Sequence, residues 1–180
     1  MTNIKTNIPV LGFAAYSGTG KTTLLINIIP ILKKRGIEVG VIKHAHHGFE
    51  IDQEGKDSYK IRKAGASRLL IDSKYRWALM VEREEESPGI RLEESISHMD
   101  QDNLDLIMVE GFRLEAIPKI ELHRPSLNKD LIYKHNENVI AIATDAPIDT
   151  ETKLPLLDLN NYEEIAEFII TTFCNDKICS

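Results

Sequence analysis

Four short apolar runs punctuate the chain: Val10 to Ala15, Val39 to Ile42, Leu104 to Val109 and Val139 to Ala143. Each is rich in β-branched residues and lacks a clean polar alternation, the pattern of strands buried on both faces of a parallel sheet. Between the first two, Leu24, Leu25, Ile28, Ile31 and Leu32 recur at helical spacing within Thr22 to Arg35, and Gly36 supplies a stop. Pro30 falls inside this helix and cannot donate to the carbonyl of Ile26, which predicts a kink. Near the C-terminus Ile165, Phe168, Ile169 and Phe173 form one apolar stripe, behind Asn160 as a cap and Glu163 at the capping-box position. Strand, helix and strand joined by a right-handed crossover make the βαβ unit of a doubly wound sheet. The middle of the chain reads differently. Ser67 to Asp72 and Arg76 to Glu82 predict an antiparallel hairpin turning at Ser73–Lys74–Tyr75, with Trp77, Leu79 and Val81 on one face. The expected architecture is α/β: a doubly wound, mostly parallel sheet with an inserted antiparallel hairpin at an edge, where it could pair with another chain.

A length of 180 residues suits one domain spanning 1–180. Hydrophobic residues at 42% and charged residues at 28% argue against wholesale disorder. Lys+Arg number 22 against 28 Asp+Glu, a net charge of −6, which disfavours a nucleic acid as partner because counterion release needs a clustered positive face. No apolar run approaches the roughly 20 residues that span a bilayer, so no membrane association is expected. Met1 to Asn7 is polar and does not read as a secretory signal, and Cys174 and Cys179 sit together at the C-terminus, which does not look like a disulfide framework. The expectation is a cytoplasmic protein.

The strongest chemical signal is Ala15-Tyr-Ser-Gly-Thr-Gly20-Lys21-Thr22, leaving the first apolar run and entering the first helix. It meets the phosphate-loop pattern G-x-x-x-x-G-K-[ST] except that Ala15 stands for the first glycine, and a small residue there still permits close approach. Gly18 and Gly20 let the backbone turn its N–H groups inward as a nest for phosphate oxygens, and the helix N-terminus adds its positive dipole end. Ser17, Gly18, Thr19, Gly20, Lys21, Thr22 and Thr23 are therefore the candidate phosphate-binding residues of a P-loop NTPase fold. Lys21 places a point charge at the β- and γ-phosphates of a nucleoside triphosphate, and the Thr22 hydroxyl can ligate Mg²⁺.

Such a loop needs an acid at the end of a neighbouring strand. Asp105 and Glu110 are five residues apart, about 17 Å along a strand. Ligands bind beyond the C-terminal strand ends, which selects Glu110 for Mg²⁺ and leaves Asp105 as a strand-entry residue. After the second strand come His44, His46 and His47, then Asp52 to Gly55 in the D-x-x-G form of switch loops, with Asp52 near Mg²⁺ and Gly55 as a hinge. Three histidines could instead bind a metal. Lys56, Lys60 and Lys63 follow i, i+4, i+7 spacing on a short helix, a local positive face that either is simply solvated or holds a second anion such as a phosphate group.

Taken in order, Tyr16-Ser-Gly-Thr-Gly-Lys-Thr-Thr-Leu-Leu25, Lys43-His-Ala-His-His47, Gly55-Lys-Asp-Ser-Tyr59, Ala64-Gly-Ala66, Arg76-Trp-Ala-Leu-Met80, Val109-Glu-Gly-Phe112 and Lys119-Ile-Glu-Leu-His-Arg124 resemble the MobB family, the molybdopterin-guanine dinucleotide biosynthesis adaptor proteins. The resemblance runs from about Leu11 to Asp145. It implies a GTP-binding protein of the SIMIBI class with weak hydrolysis, using GTP and Mg²⁺, dimerising through inserted strands and assisting the guanylyltransferase that joins GMP to molybdopterin. Ala15 and Arg113, where the family often has Lys, are departures from its pattern. The N-K-x-D guanine motif is absent, since Asn128-Lys129-Asp130 is off by one in spacing, but Asp145 ends a strand where a carboxylate could accept from the guanine N1–H and 2-amino groups. The resemblance favours guanine over adenine, and suggests molybdopterin phosphate as the anion for the lysine face. Two other readings are a small-molecule kinase on the same architecture, for which no Arg-rich lid follows Glu110, and a nickel-type metallochaperone GTPase suggested by the histidines.

Overall fold

The computed structural model describes residues 6–45, 48–83, 91–149 and 151–174. The elements run β1 (Val10–Ala14), α1 (Lys21–Lys34), β2 (Val39–Lys43), α2 (Asp57–Lys63), β3 (Arg68–Asp72), β4 (Trp77–Val81), α3 (Leu92–Ser97), β5 (Leu106–Glu110), β6 (Lys119–His123), β7 (Val139–Thr144), β8 (Leu156–Asp158) and α4 (Tyr162–Phe173). They fall into two compact units, Met1–His44 with Leu92–Ser180, and Ala45–Arg91.

The larger unit is a six-stranded sheet in the order β2-β5-β1-β6-β7-β8 with every pair parallel. Side chains alternate across a strand, so β1 sends Leu11 and Phe13 to one face and Val10 to the other. Leu11 and Phe13 pack with Leu24, Ile28 and Leu32 of α1 and Ile165 and Ile169 of α4. Val10 packs with Ile107 and Val109 of β5, Leu92 and Ile96 of α3, and Ile117. Both faces are covered, which is why the apolar runs show no alternation. Each fully buried Leu or Ile in these layers contributes about 1.5–3 kcal/mol. Among the described residues no helix is long and apolar enough to cross a membrane.

Two helix details bear on the expected ends and breaks. α1 extends from Lys21 to Lys34 with Pro30 inside it, and the missing donor faces the exposed Ile26 turn. α4 is capped by Asn161, one residue later than the spacing predicts: its side chain accepts from the Glu164 N–H at 3.2 Å. Asn160 lies in the preceding turn, its N–H donating to Asp158 Oδ1 at 2.8 Å.

β6 and β8 escape the apolar-run criterion. Lys119-Ile-Glu-Leu-His123 alternates as a half-exposed strand would, yet all five residues are buried. Lys119 and Glu121 are satisfied by backbone groups of neighbouring segments. The Lys119 ammonium donates to the carbonyls of Glu115 and, at 3.1 Å, Ile117. The Glu121 carboxylate accepts the N–H groups of Ile132 at 2.7 Å and Tyr133 at 2.8 Å, where a 3-10 helix begins. Burial pushes the Glu121 carboxyl up, the two amide bonds opposing it, and pushes the Lys119 ammonium down.

The smaller unit holds α2 and the hairpin. β3 and β4 pair antiparallel with Arg68 opposite Val81, Leu70 opposite Leu79 and Asp72 opposite Trp77. Ser73 closes the turn, its N–H reaching the Arg76 carbonyl at 3.0 Å and its hydroxyl the same oxygen at 2.8 Å. The hairpin is a separate two-stranded sheet and is not hydrogen-bonded into the edge of the parallel one, among the described residues. Within this unit the Arg62 guanidinium reaches Glu50 at 2.5 Å and Glu82 at 2.9 Å, and these carboxylates raise its pKa. Leu70, Trp77, Leu79 and Val81 share one hairpin face and are 59%, 66%, 51% and 49% exposed.

Candidate nucleotide-binding site

The chain leaves β1 at Ala14, turns through Tyr16 to Gly20 and enters α1 at Lys21. Gly18 and Gly20 lie at φ +80° and +105°, left-handed conformations that an L side chain rarely adopts. Thr19 between them is 2% exposed, and its hydroxyl donates to the Tyr16 carbonyl at 2.9 Å. Gly20 is the N-cap and offers no side chain, and no side-chain hydrogen bond caps the helix among the described residues. The Lys21 ammonium folds back to the Ala15 carbonyl at 3.3 Å. Its pKa is lowered, chiefly by burial; Glu110 opposes the shift, and Arg113 and Lys43 add to it. Thr22 and Thr23 face outward on the first turn. The candidate phosphate residues Ser17 to Thr23 thus form one strand-to-helix cradle.

Glu110 ends β5 directly beside the loop, in register with Phe13 of β1 on one side and Lys43 of β2 on the other. Its side chain is 14% exposed and lies 3.4 Å from the Lys43 ammonium. Gly111 follows at φ +106°, and a β-carbon there would come within 2.8 Å of His44 Cβ. The crossing is tight because the His44 N–H donates to the Glu110 carbonyl at 2.8 Å, while the His44 ring packs against Phe112 with centroids 5.1 Å apart. Asp105 lies at the opposite end of the sheet, its carboxylate accepting from the Glu38 N–H at 2.9 Å. One hydroxyl, Thr22, and one neighbouring carboxylate, Glu110, fit an octahedral Mg²⁺ that keeps waters and takes its remaining oxygens from phosphates.

Two strands further along, Asp145 follows β7. Its Oδ2 accepts from Arg124 Nη1, and the pair is 21% and 31% exposed. Arg124 Nε donates to the Thr19 carbonyl at 2.9 Å. An open hollow of about 350 Å³ adjoins Asp145, lined also by Thr144, Pro147, Leu157 and Asp158. His123, ending β6, is buried, which lowers its pKa against the pull of Asp145. Arg124, Lys43 and Arg113 carried no assigned role in the sequence reading. Recognising β6 as a strand would have put Arg124 at a C-terminal strand end beside the loop, which is the signal that was missed.

The remaining candidates are in the smaller unit or outside the described residues. His46 and His47 lie outside them, as does Cys179. Among the described residues no group of three or more His, Cys, Asp or Glu could hold a metal ion. Asp52 Oδ1 accepts from the Ser58 hydroxyl at 2.8 Å and from the Gln53 N–H at 3.0 Å, and Gly55 turns at φ +89°. Lys56, Lys60 and Lys63 are all exposed; Lys60 lies 3.6 Å from Asp57 and Lys63 stands over the Tyr59 ring at 5.4 Å. Lys60 and Lys63 therefore have neighbours on their own helix.

A family model described as "Molybdopterin guanine dinucleotide synthesis protein B" matches residues 10–145. The chain is 48% identical over 172 residues to the molybdopterin-guanine dinucleotide biosynthesis adapter protein of Escherichia coli (strain K12), covering 92% of this chain and 94% of that one. It is 44% identical over 162 residues to the protein of the same description from Haemophilus influenzae, covering 90% and 88%. Among solved structures it is similar to a molybdopterin-guanine biosynthesis protein B, with TM-score 0.69, 27% identity and 91% and 99% coverage. A MobB protein homolog from Bacillus stearothermophilus, at TM-score 0.66, 23% identity and 91% and 96% coverage, speaks to the fold. From β1 to Asp145 the matched segment spans the phosphate loop, Glu110 and Arg124, and the chain belongs to the MobB family of molybdopterin-guanine dinucleotide synthesis proteins.

Proposed function

We propose that this protein is a GTP-binding adapter that assists the guanylylation of molybdopterin, with Mg²⁺ as the companion cation and hydrolysis weak at most. The observation that carries the reading is the phosphate cradle itself: two left-handed glycines, an uncapped helix N-terminus and a partly buried ammonium, with Glu110 beside it. Ser17 to Thr23 take the phosphates, Thr22 and Glu110 the Mg²⁺, and Asp145 the guanine edge. The descriptions of its relatives support the pathway, and through it a guanylyltransferase and molybdopterin as partners. A reconstituted reaction tests it: guanylyltransferase, molybdopterin and GTP with Mg²⁺ should give faster formation of the guanine dinucleotide when this protein is added. Equal rates with and without it count against the adapter role.

The same reading includes a homodimer joined through the hairpin. A two-stranded sheet is marginal by itself, and this one presents Leu70, Trp77, Leu79 and Val81 to solvent together with the unpaired edges of β3 and β4. A second copy would cover that face and extend the ladder. The pair Trp77→Glu and Leu79→Lys should convert a dimer at micromolar concentration into a monomer in sedimentation, leaving the larger unit folded. A wild-type protein that sediments as a monomer excludes this arrangement.

A further inference from the structure

We propose that Arg124 is a positioning residue that locks the phosphate loop to the base-reading carboxylate, so that guanine selectivity depends on it. The inference rests on the nucleotide-binding reading above and names what sets its specificity.

Two hydrogen bonds place Arg124. Its Nε donates to the Thr19 carbonyl at 2.9 Å and its Nη1 donates to Asp145 Oδ2, while Nη2 lies against Gly20, where an added β-carbon would stand 3.6 Å from it. One planar side chain thus joins the end of β6 to the loop after β1 and to the loop after β7, all within the larger unit. The consequence for the loop follows from peptide geometry. In a trans peptide the C=O and the next N–H point in opposite directions. Holding the Thr19 carbonyl toward Arg124 turns the Gly20 N–H away from it, as the left-handed Gly20 allows, and so presets one donor of the phosphate nest.

The consequence for the base is a matter of aim. A carboxylate has two oxygens and about four acceptor positions. Arg124 occupies one position on Oδ2, and Oδ1 takes no hydrogen bond among the described residues. The guanidinium therefore restrains the carboxylate through Oδ2 and leaves both oxygens able to accept from an N–H pair such as guanine N1–H and its 2-amino group. Without Arg124 the carboxylate would lose that restraint, and the 2-amino group its oriented acceptor. Lysine cannot replace this action, because an ammonium is a point charge and does not present a rigid fork to two acceptors at once.

The test compares GTP with ITP, whose hypoxanthine lacks only the 2-amino group. Calorimetry in Mg²⁺ should show wild-type protein preferring GTP by roughly tenfold or more, the scale of one hydrogen bond to a charged acceptor. Arg124→Ala should weaken GTP binding by roughly tenfold to a hundredfold, the equivalent of losing charge-assisted hydrogen bonds. It should also bring the GTP-to-ITP ratio close to one, matching Asp145→Ala. Arg124→Lys should recover part of the affinity and none of the ratio. A ratio of dissociation constants is independent of the fraction of folded protein, and Arg124→Lys supplies the same readout if the alanine variant does not fold. An unchanged ratio in Arg124→Ala, or full recovery of it by Lys, overturns the proposal while the nucleotide reading stands. Wild-type protein that binds GTP and ITP equally overturns it with phosphate binding intact. Wild-type protein that binds neither defeats the nucleotide reading and this inference together.

Discussion

Replacing Lys21 with alanine is expected to lower the affinity for GTP with Mg²⁺ by at least about a hundredfold, the scale on which removing one preorganised electrostatic donor acts. The ammonium stands at the mouth of the cradle, 3.3 Å from the Ala15 carbonyl, and its burial already lowers its pKa. A triphosphate would exchange that neutral acceptor for anionic oxygens and stabilise the charged form. The glycines and the helix N-terminus offer only partial charges, so alanine would leave the clustered phosphate charge without its full counter-charge. Calorimetry with GTP and Mg²⁺ reads the effect directly. Unchanged affinity would remove the phosphate-loop assignment, and with it the basis of the proposed function.

Glu110→Gln is expected to weaken Mg²⁺-dependent GTP binding by roughly tenfold or more, since a charged partner is lost to a hard cation and its waters. Binding in EDTA should move the other way or not at all. Glu110 is the acid among Lys21, Lys43 and Arg113, so neutralising it leaves the surroundings more positive and more hospitable to bare phosphate. This opposition of sign separates a metal role from a general loss of structure. Asp105→Asn is the control. Its carboxylate accepts from the Glu38 N–H at the far end of the sheet, an amide oxygen can do the same, and neither titration should change. If Asp105→Asn affects Mg²⁺-dependent binding and Glu110→Gln does not, the choice between the two acids is reversed.

The strand-to-helix turn at Gly18 and Gly20 and the strand-end position of Glu110 were legible in the sequence, because both depend on local pattern. A glycine-rich turn between an apolar run and an amphipathic helix is marked by its own residues, and the place of Glu110 needed only the length and direction of one strand. β6 was not legible. Lys119, Glu121 and His123 look like an exposed face; Lys119 is held by carbonyls of the segment just before it and Glu121 by the Ile132–Tyr133 turn eleven residues on, closures that side-chain alternation does not announce. β8 is three residues long and exists by pairing with β7.

The placing of the hairpin divides in the same way. Alternation and the Ser73 turn specified the two strands and the face that Trp77, Leu79 and Val81 share. Whether those strands extend the parallel sheet is a question of long-range backbone pairing, and the structure answers that they pair with each other. The Arg124 bridge is the clearest case of all. Thr19, Arg124 and Asp145 are far apart in the chain and belong to three different loops, and strand order β1-β6-β7 alone brings them within hydrogen-bond reach. Sequence by itself determined the apolar strands β1, β2, β5 and β7, the helices α1 and α4 and the family resemblance, because propensity, periodicity and short motifs act over a few residues. Tertiary structure decided which charges meet, because a guanidinium and a carboxylate interact over a few ångströms and only the sheet's order puts them there.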